Sequence, residues 1–400
     1  MNRLGRLILG APDQGAWAVR ARMVMTMVPG REPVQDGVVL SHGNRIAAVD
    51  TYRSLAPDLG CETLDLGDEV LAPGLFNSHV HLELSHLLGA TRQGQGFVAW
   101  LRSMLAQGME PSDTDAINLA VQQMRNAGVV HAADVSTRHP DLTAAALDEH
   151  LPLFHILAEF IGQPKQTATS DLLDLDWPPA AKRALERFPH AVAAAGHALY
   201  STAPQVLQAA KQWCNDHGRV FSLHLAEHED EDESLLHGQG EFHAMLAQGL
   251  LPRDHEPPRI RPVPLADSLG LLDERTLAVH CVRVDDADME ILSRRRVTVC
   301  LCPRSNAYIG VGNAPWNAMR GKGLRICLGT DSLASNHDLD PWNEVRFLLE
   351  NSASHITLAE ALAWMTVNPA RVFGLEHEAG ILATGCLAAM SLVPEDLSFA

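Results

Sequence analysis

The chain has 400 residues, 46% hydrophobic and 20% charged, a balance that suits a globular protein with a large core. Its formal net charge of −18 repels phosphate backbones and anionic lipid, which excludes nucleic acid and membrane surfaces as expected partners. Seven scattered cysteines, an odd number, argue against a disulfide framework and for a reducing, cytoplasmic setting. No apolar run reaches membrane-span length, and the first ten residues lack the apolar length and cleavage site of a signal peptide.

Residues 1–69 read as β-rich. Segments 17–27, 37–40 and 45–49 are strand-like, and Gly43-Asn44 between the last two is a hairpin-turn signal. From residue 70 short apolar runs alternate with longer amphipathic stretches. The expected strands are 70–76, 129–133, 153–159, 191–196, 220–224, 277–280, 297–301 and 325–328. Helix-like stretches lie between and after them, among them 115–126, 180–188, 204–217, 285–295 and 341–350. Eight strands alternating with helices imply an α/β fold, a parallel (β/α)₈ barrel of TIM type over residues 70–374. Segment 357–373 reads as helix, and 380–393 returns to short β-like runs. Residues 1–69 and 375–400 are therefore expected to form together a small β-sandwich domain.

Barrel enzymes place their chemistry at the C-terminal ends of the strands. The first strand runs into LAPGLFNSHVHLELS, where His79 and His81 share a side at period two. The fifth ends in His224, the sixth in His280, and the eighth leads to Asp331. Imidazoles and a carboxylate suit one borderline divalent transition metal, with zinc first and iron or manganese also compatible. Such an ion lowers the pKa of a water toward neutral, and a hydrolase then needs a proton carrier. Glu227, three residues after His224, is placed for that task. The acids that follow it, through Glu233, read as a solvated surface run at a helix start.

PGLFNSHVHLE, HLAE, AVH and LGTDS resemble the metal-dependent amidohydrolase superfamily. HLAE together with GHALYSTAP, CPRSN and LGTDSLASNHDLD is similar to its aminohydrolase branch, which includes cytosine, guanine and adenosine-type deaminases and triazine chlorohydrolases. The resemblance spans nearly the whole chain. It implies His79, His81, His224 and Asp331 as metal ligands, His280 beside the activated water and the substrate, and Glu227 as proton shuttle. His197 matches a substrate-contact position, and also reads as a structural histidine before a helix. Binuclear members carry a bridging carboxylated lysine. No lysine ends the third or fourth strand here, Lys165 sitting several residues past Glu159, so one metal is expected. The family's glycine-then-alanine-aspartate segment is replaced by Gly385-Cys386-Leu387-Ala388-Ala389, without the aspartate.

The implied reaction is hydrolytic deamination of a small aminated heterocycle, with His280 stabilising the attacking oxygen and ammonia leaving. Dechlorination or amide hydrolysis would use the same machinery. A non-catalytic barrel would not need all these residues. A narrower likeness, in His79 to Ser85 and Phe97-Val98-Ala99-Trp100, is to the aminodeoxyfutalosine deaminases of the futalosine route to menaquinone. It implies an adenine nucleoside as substrate, with guanine, cytosine or S-adenosylhomocysteine as alternatives. Glu83 could accept from ribose hydroxyls or a protonated purine nitrogen, or else orient His81. Trp100 could stack on a ring, or fill the core beside Phe97 and Leu101. Arg92, Arg138 and Arg304 are arginines that could meet a substrate carboxylate. Cys300 and Cys302 read as buried free thiols, and Gly310 and Gly312 as a loop. A homo-oligomer is compatible with all of this.

Overall fold

The computed structural model describes all residues except 1, 12, 14, 57–58, 109–112, 163–174, 353 and 398–400. Seven strands come first: β1 (Asn2–Leu4), β2 (Leu7–Leu9), β3 (Ala16–Val24), β4 (Val34–His42), β5 (Arg45–Thr51), β6 (Glu62–Asp65) and β7 (Val70–Pro73). Eight more form a parallel sheet: β8 (Leu75–Val80), β9 (Val129–Ser136), β10 (Leu153–Phe160), β11 (Val192–Ala198), β12 (Phe221–Leu225), β13 (Thr276–His280), β14 (Thr298–Leu301) and β15 (Arg325–Leu328). A last strand, β16 (Ala389–Leu392), inserts between β2 and β7.

The parallel strands pair in chain order from β8 to β15, which is the (β/α)₈ arrangement expected. Most of their residues are buried, the continuous apolar signature of a sheet covered on both faces. The helices between them start where the sequence supplies the chemistry. Thr114–Asn126 is capped by the Asp113 carboxylate, and Asp286–Arg294 by a reciprocal Asp285–Asp288 box. Pro140, Pro179, Pro204, Pro262, Pro303 and Pro341 each occupy the first helical position, where a missing N–H costs nothing.

Side chains close the seam between the first and last barrel strands. The Asn77 amide donates to Thr330 Oγ1 at 2.7 Å and its carbonyl accepts Thr330 N–H at 3.1 Å, while Asp331 N–H reaches His79 O at 3.0 Å. Gly329 makes the approach possible, since a Cβ there would lie 2.7 Å from His79 Cβ and 2.8 Å from His79 O. The closure sets His79 and Asp331 side by side.

Two readings of the sequence need correction. Segment 70–76 is two strands in two sheets, not one. The break is Gly74, where a Cβ would meet Val130 Cγ1 at 2.2 Å. Segment 357–373 is two helices, Leu358–Met365 and Val367–Val372, broken at Thr366, whose hydroxyl turns back to Leu362 O at 2.6 Å. The terminal strands form one hydrogen-bonded network, β1-β2-β16-β7-β3-β4-β5 with β6 on β3, around an apolar cluster that includes Trp17, Val19, Val39, Ile46, Leu71 and Met390. In the segment that lacks the aspartate, Gly385 N–H and Ala388 N–H bond to Ile46 O and Asn44 O, which docks the C-terminal strand on the N-terminal hairpin. We propose this terminal sheet as one domain and the barrel as the other.

Candidate functional site

His79 is the penultimate residue of β8 and His81 follows the strand. Their ring centroids are 4.8 Å apart at 86°, so the period-two reading places both imidazoles in one site. Both Nε2 atoms face the same carboxylate oxygen, Asp331 Oδ1, at 3.8 Å and 3.7 Å. His224, on β12, stacks 5.5 Å from His81 and also 5.5 Å from His280, which ends β13. Donor atoms of His79, His81 and Asp331 lie within 4.8 Å of one another, as do those of His79, His224 and His280. The five residues singled out from strand ends converge on one point.

The surroundings fix which nitrogen each ring offers. His224 Nδ1 donates to the His197 carbonyl at 3.0 Å, and His280 Nδ1 to Asn306 Oδ1 at 3.0 Å, leaving both Nε2 atoms turned to the site. Asp331 Oδ2 accepts from Ser305 Oγ at 2.6 Å and Oδ1 from Ser332 N–H at 2.7 Å. His79 is fully buried with no hydrogen-bond partner for either ring nitrogen. A buried polar atom left that way costs about 1–3 kcal/mol, and a divalent cation held by this donor set would satisfy it. The residues therefore fit one metal ion, with His79, His81, His224 and Asp331 to hold it.

Electrostatics agree. Burial and the neighbouring histidines hold His79 well below the usual imidazole range, so it is the neutral, ligating form. Burial would raise the Asp331 carboxyl, but His81, His280, Ser305 and His224 outweigh it and keep it low. Burial, with the charges of Asp331 and Glu231, holds the Glu227 carboxyl well above its usual range. Its Oε1 stands 3.7 Å from His280 Nε2. Ala226, His280 and Asp331 adopt positive φ of 52°, 72° and 58°, and such strain in non-glycine residues clusters at functional sites.

The Glu83 carboxylate accepts from Ser136 Oγ and from the N–H groups of Thr137, Arg138 and His139, so it grips the loop after β9. His197 Nδ1 meets Ser201 Oγ at 2.5 Å, while its carbonyl orients His224. Trp100 is buried in an apolar cluster with Phe97, Tyr200 and Phe242, its indole N–H on Ala334 O at 2.8 Å. Arg304 forms a bidentate pair with Asp338, at 2.8 Å and 2.9 Å, which commits its guanidinium. Arg92 and Arg138 are exposed, and Lys165 lies outside the described residues.

The acidic run after Glu227 corrects the sequence reading, because Glu231 is buried rather than on the surface. Its Oε2 accepts Glu227 N–H at 2.8 Å, and burial pushes its carboxyl up to about 8. Glu159 also went unassigned. It is buried at the end of β10, with Oε1 3.5 Å from His224 Nδ1 and Oε2 accepting from Thr137 Oγ1 at 2.7 Å. Its strand-end position was the signal.

Residues 70–399 match the model of the amidohydrolase family. The chain is 28% identical over 339 residues to a 5-methylthioadenosine/S-adenosylhomocysteine deaminase of Nitratidesulfovibrio vulgaris, covering 82% of this chain and 71% of that one. It is 28% identical over 322 residues to a 5'-deoxyadenosine deaminase of Methanothrix thermoacetophila, covering 77% and 68%. Its fold is shared with a zinc-bound adenosine deaminase of Xanthomonas campestris, at a TM-score of 0.78, 24% identity and coverage of 97% and 86%. It is shared too with the Helicobacter pylori aminofutalosine deaminase bound to methylthio-coformycin, at 0.79, 22%, and 94% and 91%. No helix among the described residues is long and apolar enough to cross a membrane. The chain belongs to the amidohydrolase family and is a metal-dependent hydrolase acting on carbon–nitrogen bonds.

Proposed function

We propose that the protein hydrolytically deaminates the adenine ring of a nucleoside, with 6-aminodeoxyfutalosine of the futalosine route to menaquinone as first substrate. The observation that carries the chemistry is Glu227 Oε1 3.7 Å from His280 Nε2, next to the histidine–aspartate cluster. The substrate class is supported by relatives that are themselves deaminases of adenosine derivatives. His79, His81, His224 and Asp331 would hold a divalent ion, which would supply Lewis-acid activation of a water when bound.

The chain's own residues do the rest. Glu227 accepts a proton from the attacking water and delivers one to the leaving nitrogen. His280, whose Nδ1 hydrogen is committed to Asn306 Oδ1, turns an unprotonated Nε2 to the site, where it accepts a hydrogen bond from the attacking water. The water oxygen bonds to the ring carbon that carries the amino group, the carbon–nitrogen bond breaks, and ammonia leaves. Burial of Glu227 and His280 keeps bulk water from competing for these protons.

A second reading, turnover of 5-methylthioadenosine or S-adenosylhomocysteine, is favoured by the Nitratidesulfovibrio relative. Specificity constants for 6-aminodeoxyfutalosine, 5-methylthioadenosine, S-adenosylhomocysteine, adenosine, guanine and cytosine rank these. The first reading requires 6-aminodeoxyfutalosine to lead by about tenfold or more, a gap of about 1.4 kcal/mol in transition-state binding. A lead for guanine or cytosine contradicts the nucleoside class and leaves deamination standing.

A further inference from the structure

Glu231 lies at the start of helix Glu229–His237, in a run whose neighbours Glu229 and Glu233 face solvent, yet it is 1% exposed. Two hydrogen bonds cross this helix start in opposite directions. His228 Nδ1 accepts Glu231 N–H at 3.1 Å, and Glu231 Oε2 accepts Glu227 N–H at 2.8 Å. In an ordinary capping box the returning carboxylate bonds the amide of the cap residue itself. Here it reaches one residue further back, to Glu227.

The backbone it holds is strained. Ala226 has φ 52°, a left-handed conformation in which its Cβ crowds the following carbonyl. On the β13 side, Cys281 N–H ties to Leu225 O and Arg283 N–H to Ala226 O. On the helix side, the tie at Glu227 is the Glu231 carboxylate. Without it the buried Glu227 amide loses its acceptor, and the turn that aims the Glu227 carboxylate at His280 can relax.

We infer that Glu231 is a positioning residue, a back-reaching cap that locks the turn carrying the proton-transferring Glu227. The inference rests on the proton-carrying role of Glu227 proposed above. Its hydrogen bond goes to the Glu227 backbone, and the positioning acts through that bond.

The test compares Glu231→Ala, Glu231→Gln and Glu227→Gln in the full-length, metal-loaded protein, with 6-aminodeoxyfutalosine and 5-methylthioadenosine as probes. Glu231→Ala is expected to lower kcat by about tenfold to a hundredfold, the scale of an ångström-sized misplacement, with KM changed by less than about threefold. Metal content by elemental analysis should stay at the wild-type level. Glu231→Gln keeps an oxygen that can accept the same N–H, and should recover kcat to within about threefold of wild type. Should Glu231→Ala not fold, Glu231→Asp, too short to reach Glu227, must show the same fall in kcat. Wild-type kcat in Glu231→Ala while Glu227→Gln is inactive overturns the positioning role. So does a Glu231→Gln protein as slow as Glu231→Ala. Full turnover in Glu227→Gln overturns the role of Glu227 and this inference with it.

Discussion

Glu227 Oε1 lies 3.7 Å from His280 Nε2, and the two side chains come from the ends of neighbouring barrel strands. Each is aimed by a different partner. Asn306 turns His280 from the helix after β14, while Glu231 holds Glu227 from the helix after β12. Replacing the Glu227 carboxyl by an amide should therefore disable proton transfer and leave the pocket standing. Glu227→Gln is expected to fold, keep its metal and lose about a hundredfold to ten-thousandfold in kcat. Steady-state kinetics with metal analysis on the same sample checks this, and a loss under about threefold moves the role to another carboxylate.

The ligand set gives a second expectation. Wild-type protein should hold about one zinc, iron or manganese ion per chain by elemental analysis. His79→Ala and Asp331→Ala each delete a donor at the point where the barrel seam closes, and each should lose most bound metal and turnover together. Full metal and full activity in either variant would remove that residue from the site.

These residues were legible because each is a polar group that ends an apolar run, and strand ends are where a barrel gathers its chemistry. Seven of the eight barrel strands were legible as apolar runs; the first was read as 70–76, whereas the barrel strand is Leu75–Val80. Glu231 was not, since an acid within Glu229-Asp230-Glu231-Asp232-Glu233 reads as part of a solvated helix start until the fold buries one face of it. Nor was the change of sheet at Gly74, because it depends on how closely Val130 approaches from a distant part of the chain. The grip of Glu83 on residues 136–139 is likewise a contact across more than fifty residues, which no local spacing encodes.

The seam supplies a third expectation. Gly329→Ala places a methyl 2.7 Å from His79 Cβ, against two strands that cannot both give way. The expected cost is about 1–3 kcal/mol of stability, with metal affinity weakened because His79 and Asp331 move apart. Chemical denaturation and metal titration read the two effects. Unchanged stability and unchanged affinity would show that the seam has slack.

Acid should destabilise the protein through a histidine pair away from the metal cluster. His131 Nε2 and His155 Nδ1 are 2.9 Å apart, both buried, with Phe76 and Phe373 against them. Burial lowers His155 to about 3, and burial with His155 holds His131 well below its usual range. Both are neutral in the folded state, whereas the unfolded chain takes up protons near pH 6.5. Stability is thus complete above that pH and falls as pH drops toward 3. His155 alone should account for about 2 kcal/mol between pH 7 and pH 5. Denaturation of the metal-free protein at both pH values, wild type against His155→Leu, should show a shallower acid loss in the variant. Equal slopes would assign the acid sensitivity elsewhere.

The most direct test of the central claim is to incubate metal-loaded protein with 6-aminodeoxyfutalosine, and separately with 5-methylthioadenosine, in ¹⁸O-labelled water, and to analyse the products by mass spectrometry with ammonia measured in parallel. The account predicts one ammonia released per nucleoside consumed, with one solvent oxygen on the ring carbon that carried the amino group and the bond between base and sugar intact. Free adenine as product, or no ammonia from either nucleoside, would contradict it.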